Sequence, residues 1–386
     1  TLRGHPRTEG LVEAALQRGL TAEGHGAGAR PPALAALQAL GAVADHEGIG
    51  DADLRARLRL GLWTEARHGA TRQDLDEIAP LWQAGGLDLR RLTLVTDGVE
   101  PEDLLAGRSL NAVVERACEL GLPLPTALRM ASQGPAERFG VGPWLGGLAP
   151  GAFADVIVLP RDGGVQPELV LVGGRPVGPP APFEWPPLAS GVGDATLQGP
   201  LVAPLPAGLH RAMRLVGPTV TRESETLGED AVWVIALDRA DASRGFRGLL
   251  VDFGLARGAV AWSSGWEAAG PVLAGNDESD LRQALERLRA LDGGAVVVAG
   301  GQVLAEWRAP IAGLLSPAPL ATVAEEVRGV NRALRELGAT SPNPVLTLET
   351  LTTTAIPFLR ITPEGYYRAR DGSRARLWDT VRTAQP

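Results

Sequence analysis

Gly41-Ala42-Val43-Ala44-Asp45-His46-Glu47-Gly48 places an imidazole and two carboxylates at the end of a short apolar run and then stops at a glycine. A run of that kind, closed by ionisable groups, is the pattern of a buried strand whose carboxyl end opens on a site. The flanking segments repeat the plan. Pro32 to Leu40 has helical spacing and ends at Gly41; before it, Thr8 to Gly19 carries Leu11, Ala14, Ala15 and Leu16 at helical spacing and hands over to a strand, Leu20 to His25. On the other side, Ala52 to Leu60 is helical and Leu62 to Arg67 a strand closed by Gly69, then Leu75 to Gln83 is helical and Arg91 to Gly98 a strand whose apolar continuity points to burial on both faces. Four strand-and-helix units in a row predict an α/β fold with a parallel sheet. Ligands in such folds sit at the carboxyl ends of strands, where His25, His46 and Asp97 all fall. Four units make half of an eight-stranded barrel. An open half-barrel exposes a long apolar edge, so the other half is expected upstream of Thr1.

Farther along, Asn111 to Leu120, Leu124 to Ala131 and Pro135 to Phe139 read as helices, and the texture changes at Gly146-Gly147-Leu148-Ala149-Pro150-Gly151. Ala154 to Leu159 and Leu169 to Val177 are predicted strands of a small β unit, with Gly173-Gly174 as a hairpin turn. Gly178 to Pro206 is rich in Pro and Gly and reads as a linker. From about Arg211 strands follow one another, among them Ala231 to Leu237 and Gly258 to Trp262, with helices at Asp280 to Leu291 and Thr322 to Leu337 and a hairpin at Ala295 to Leu304. That order is α+β.

Composition narrows the function classes. At 386 residues, with 45% hydrophobic and 21% charged content, the chain has the make-up of a soluble protein of two or three domains. Its net charge of -8 is spread out, and no basic run suggests a nucleic-acid track, so a small-molecule partner is expected. All 37 basic residues are Arg, which excludes lysine chemistry such as a Schiff base. Cys118 is the single cysteine, so neither an internal disulfide nor a cysteine zinc cage can form, and its helical surroundings make it a packed thiol. With no apolar run near the ~20 residues of a membrane span and no signal segment, no membrane partner and a cytoplasmic location are expected.

A lone His is more often a hydrogen-bonded structural residue than a ligand, and His5, His68 and His210 are read that way. His25 and His46 end the strands of adjacent units, each close to a glycine, and Asp97 takes the matching place two units later. Two imidazoles and a carboxylate suit Zn, Fe or Mn. Spacing alone leaves a plain polar barrel rim equally open.

Glu23-Gly24-His25-Gly26-Ala27-Gly28, Ala44-Asp45-His46-Glu47 and Val95 to Leu105 resemble, in order and spacing, successive strand-end motifs of the bacterial adenine deaminases of the amidohydrolase superfamily. Gly146 to Leu159 resembles the return from barrel to small β domain in that superfamily, and Gly293 to Leu304 with Pro310 to Ser316 resembles the C-terminal domain peculiar to adenine deaminases. The resemblance implies the second half of a (β/α)8 hydrolase barrel over 1–145, a small β-sandwich portion over 146–178, a linker over 179–209 and the family's α+β domain over 210–386. It further implies a divalent ion (Mn, Fe or Zn) held by His25, His46 and Asp97, with Asp97 and Glu47 catalytic: Asp97 accepts the proton of the nucleophile and Glu47 acts as acid/base beside the purine. A His-x-His strand end and a bridging Glu are expected upstream of Thr1. The implied reaction is hydrolysis of adenine to hypoxanthine and ammonia by a homo-oligomer, with another purine or cyclic amide, or an inert binding or assembly fragment, as alternatives. Departures from the family pattern stand at Ala44, at Gly98, and at Arg239-Ala240-Asp241 and Ser263 to Ala268, where the family carries histidines.

Overall fold

The structure is a computed structural model; it describes residues 6–179, 183, 192–193, 199–204, 211–225, 230–241, 244–266 and 270–377. His5, His210 and most of the 178–206 linker therefore lie outside the described residues. The chain divides into two compact units, 1–182 and 183–386.

In the first unit, α1 (Pro6–Gln17), β1 (Ala22–Gly24), α2 (Pro31–Ala39), β2 (Ala42–Asp45), α3 (Gly50–Arg59) and β3 (Trp63–Arg67) follow one another as the spacing predicts. The expected helix over 75–83 is two short ones, α4 (Leu75–Ile78) and α5 (Pro80–Gln83), because Pro80 has no N–H to continue the ladder. β4 (Leu92–Val95), α6 (Pro101–Leu105), α7 (Leu110–Glu119), α8 (Leu124–Ala131) and α9 (Gln133–Arg138) complete this part. The four strands form one sheet in the order β1-β2-β3-β4, parallel throughout. Side chains alternate across a strand. Ala66, Leu92 and Leu94 therefore face the helices, in a core with Leu54, Leu75, Ile78, Leu81, Val113, Val114, Ala117 and Met130. Glu65 and Arg67 point to the other face. Cys118 is half-buried against this core, as expected, and burial pushes its thiol up. A separate antiparallel sheet, β5 (Val156–Val158), β6 (Leu169–Val172) and β7 (Arg175–Pro176), turns at Gly173-Gly174.

The second unit is built on an eight-stranded sheet. In chain order its strands are β8 (Ala212–Leu215), β9 (Thr221–Ser224), β10 (Val232–Leu237), β11 (Gly245–Val251), β12 (Ala259–Trp262), β13 (Val272–Gly275), β14 (Gly294–Ala299) and β15 (Gln302–Arg308), with α10 (Glu278–Ala290) between β13 and β14. In space they run β15-β14-β12-β13-β10-β11-β8-β9, antiparallel except for β11 beside β8. β10 is buried along its whole length because both faces are covered. Val296 and Val298 join Leu281, Ala284 and Leu288 of α10. Ala295 and Val297 pack on the opposite side with α11 (Leu320–Glu336), α12 (Pro344–Thr350) and the small sheet β16 (Leu359–Thr362), β17 (Gly365–Arg368), β18 (Ser373–Ala375).

Candidate metal centre

His25 lies one residue past β1, His46 and Glu47 one and two past β2, Arg67 at the last position of β3, and Asp97 two past β4. Because the four strands are parallel neighbours, their carboxyl ends meet at one rim. What holds the rim together is a buried pair. Asp45 is 1% exposed and Arg57 0%. The Asp45 Oδ1 accepts the backbone N–H of Gly26 and that of Glu47, both at 3.0 Å, and its Oδ2 accepts Arg57 Nε at 2.7 Å. Arg57 Nη2 donates in turn to the Gly26 carbonyl at 3.0 Å. The loop after β1, which carries His25, is thus pinned to the loop after β2, which carries His46 and Glu47. Charges taken out of water persist only with such partners. Gly26 is required by the closeness of the pin: a Cβ there would stand 2.6 Å from Asp45 Oδ2.

Strand alternation would send His46 and Glu47 to opposite faces. β2 ends at Asp45, however, so both belong to the irregular segment 46–49 and reach the same pocket. His25 Nε2 is 3.2 Å and His46 Nε2 3.4 Å from Glu47 Oε1. The two rings meet edge to face with centroids 5.0 Å apart. The hydrogen bond to Glu47 raises the His25 pKa against the effect of its burial, whereas burial lowers that of His46 and keeps it neutral. Burial works upward on Glu47, but the His25 hydrogen bond and the Arg67 charge hold it down to about 2. Arg67, 3% exposed, donates from Nη1 at 2.9 Å both to Glu47 Oε1 and to Asp97 Oδ2. Asp97 sits at φ 50, in the left-handed region that Asp tolerates, followed by Gly98 at φ 100. Its carbonyl accepts the Thr71 hydroxyl at 2.6 Å, which fixes the turn presenting its carboxylate to Arg67.

Among the described residues, one group of three could hold a metal ion: His25, His46 and Glu47, with one ligand atom each, all within 4.8 Å of one another. A neutral imidazole, an ionised carboxylate and a second imidazole are a donor set for a divalent ion, so the residues present fit one. The structure thus brings His25, His46 and Glu47 into contact and places Asp97 one guanidinium nitrogen away from them.

Sequence reading missed Arg57, Arg67 and Asp74. Arg67 had a legible signal: it is the charged end of its strand, two residues before Gly69, as His46 is before Gly48. Arg57 had none, since a helical Arg reads as solvent-facing until a buried carboxylate is found beneath it. His68, read as structural, stays apart from the cluster; its ring is half-buried and burial lowers its pKa. In the second unit, Ser263 Oγ donates to the Gly313 carbonyl at 2.7 Å and accepts the Gly294 N–H at 2.8 Å, stitching β12 to the start of β14. Residues 267–268 of that segment lie outside the described residues.

Comparison with known proteins gives two family matches: the adenine deaminase C-terminal domain over residues 214–373, and the amidohydrolase family over residues 51–177. The chain is 31% identical over 412 residues to a protein named adenine deaminase from Methylobacterium nodulans, covering 97% of this chain and 72% of that one. It is also 31% identical over 395 residues to the adenine deaminase of Moorella thermoacetica, covering 94% of this chain and 66% of that one. Among solved structures, an N-acetylglucosamine-6-phosphate deacetylase from Pasteurella multocida aligns at 16% identity with a TM-score of 0.36, over 46% of this chain and 55% of that one. The chain therefore spans about two thirds to three quarters of the length of these curated relatives. With 31% identity across nearly all of its own length and the C-terminal domain of the same name, the chain belongs to the adenine deaminase family.

Proposed function

We propose that this chain takes part in the metal-dependent hydrolysis of adenine to hypoxanthine and ammonia. The observation that carries the reading is the meeting of His25, His46 and Glu47 ligand atoms within 4.8 Å at the ends of adjacent parallel strands, in a chain of this family. The unreversed order β1-β2-β3-β4 supports reading this sheet as one wall of a (β/α)8 barrel, with 1–145 as its second half, 146–178 as part of a small β domain, 179–209 as a linker and 210–386 as the family's own domain.

His25, His46 and Glu47 would hold the ion; bound there, it supplies a water acidic enough to attack at neutral pH. The remaining steps belong to the side chains. Asp97, the proton-accepting carboxylate, would be a further holder of the ion, taking one proton of the nucleophile and handing it to the leaving amino group. Glu47, ionised at rest with a pKa of about 2, would take the other proton of the attacking water and pass it to the ring nitrogen, so that both protons of the water end on the product and the departing ammonia. Asp45 and Arg57 orient the loops and touch no substrate. The purine itself, homo-oligomeric assembly and a cytoplasmic location belong to the same proposal.

The test is ammonia release from adenine, measured beside other purines and cyclic amides after loading with Mn, Fe or Zn. Adenine turnover that is lost in His46→Ala supports the reading. Metal uptake with ammonia released from another substrate only would replace adenine, and absence of metal uptake would end the enzyme reading for this chain.

A further inference from the structure

Arg67 sits where a positive charge is already needed. Its Nη1 bridges Glu47 Oε1 and Asp97 Oδ2 at 2.9 Å each, and Glu47 Oε1 is the same oxygen that lies 3.2 and 3.4 Å from the two imidazole nitrogens. A divalent ion on that oxygen and a guanidinium 2.9 Å from it repel each other strongly at this depth. The guanidinium has a second seat. Among the described residues its Nε and Nη2 are buried without a hydrogen-bond partner, and so is Oδ2 of Asp74. That oxygen already forms an ion pair with Arg67 Nε at 3.5 Å, too long for a good hydrogen bond, while Asp74 Oδ1 is held by Arg72 at 2.9 Å. A buried donor and a buried acceptor left 3.5 Å apart are costly unless they close to a hydrogen bond in some state of the site.

We infer that Arg67 is a positioning residue with two seats, a resident cation that bridges Glu47 and Asp97 in the metal-free site and moves onto Asp74 when a divalent ion takes Glu47. The inference rests on the metal reading above. In it the guanidinium competes with the ion for one oxygen, and Asp74 decides how readily it yields.

Equilibrium dialysis of the full chain against Zn or Mn, with bound metal measured by elemental analysis, tests this without any assay of turnover. Arg67→Met is expected to bind the ion at least ~10-fold more tightly than the parent. Arg67→Lys, which keeps the charge, is expected within a few-fold of the parent. Asp74→Asn is expected to weaken binding several-fold in the parent and to have no effect in an Arg67→Met background, because the seat is then unused. Circular dichroism identifies the folded variants; should Arg67→Met not fold, Arg67→Gln takes its place. Equal or weaker binding by the neutral variant overturns the two-seat inference while leaving the metal reading intact. A full Asp74→Asn effect in the Arg67→Met background likewise overturns it. Failure of both the parent and the neutral variant to bind metal overturns both.

Discussion

Asp45 and His46 are neighbours in sequence with opposite physical situations, and the consequences differ accordingly. Asp45 is sealed from solvent and shared among two backbone N–H groups and Arg57. Replacing it with Ala leaves the Arg57 guanidinium buried without its counter-charge, so Asp45→Ala is expected to cost about 3–5 kcal/mol in urea unfolding of the first unit. His46 is partly open to the rim, and His46→Ala is expected to leave stability within about 1 kcal/mol of the parent. Its bound metal, measured by elemental analysis, is expected to fall at least ~10-fold; unchanged metal content removes His46 from the site. In the sequence both residues were legible as a strand-end cluster. The partnership of Asp45 with Arg57, twelve positions on, was not, because it depends on how α3 lies over the loop after β2.

At the level of elements, β4 was readable because it is short and carries Leu92, Leu94 and Val95 with only the β-branched Thr93 among them, which is the mark of a strand covered on both faces. Leu92→Ala opens a void beneath α7 and α8 and is expected to destabilise the first unit by about 2–5 kcal/mol in a denaturant titration. In the second unit, Glu223 of β9 ties two distant arginines to one strand. Burial raises its pKa, but the guanidiniums of Arg368 and Arg211 more than offset this and leave it lowered. A carboxylate lowered in the folded state adds stability above its unfolded value of 4.5, and that stability is lost as the pH falls through the folded value. The second unit is therefore expected to lose stability below about pH 4.5 more steeply than a Glu223→Gln variant, as followed by fluorescence-detected unfolding. A parallel slope in both proteins excludes this linkage. β8, β11, β13 and the small C-terminal sheet were not picked out individually, since short segments with Gly and Arg carry little periodicity and are strands only through their partners.

On the scale of the whole molecule, two units with separate cores and a candidate metal group in the first lead to the expectation that ligand effects are local. A divalent ion at 100 times its dissociation constant is expected to add about 2.7 kcal/mol to the unfolding of the first unit and to leave the second unchanged. Differential scanning calorimetry reads this as one transition moving while the other stays; equal displacement of both excludes a site confined to the first unit. The sequence by itself determined the alternation of strand and helix, the parallel sheet that follows from it, the family, and the gathering of His25, His46 and Asp97 at strand ends, because hydrophobic period, glycine stops and motif order are local properties. Tertiary structure alone decided that Glu47 joins the imidazoles, that Arg67 stands between Glu47 and Asp97, and that a buried Asp45–Arg57 pair holds the loops. Those facts turn on where a strand ends and on contacts between side chains 12, 20 and 30 residues apart. Local pattern carries no information about such contacts until the sheet brings the strand ends together.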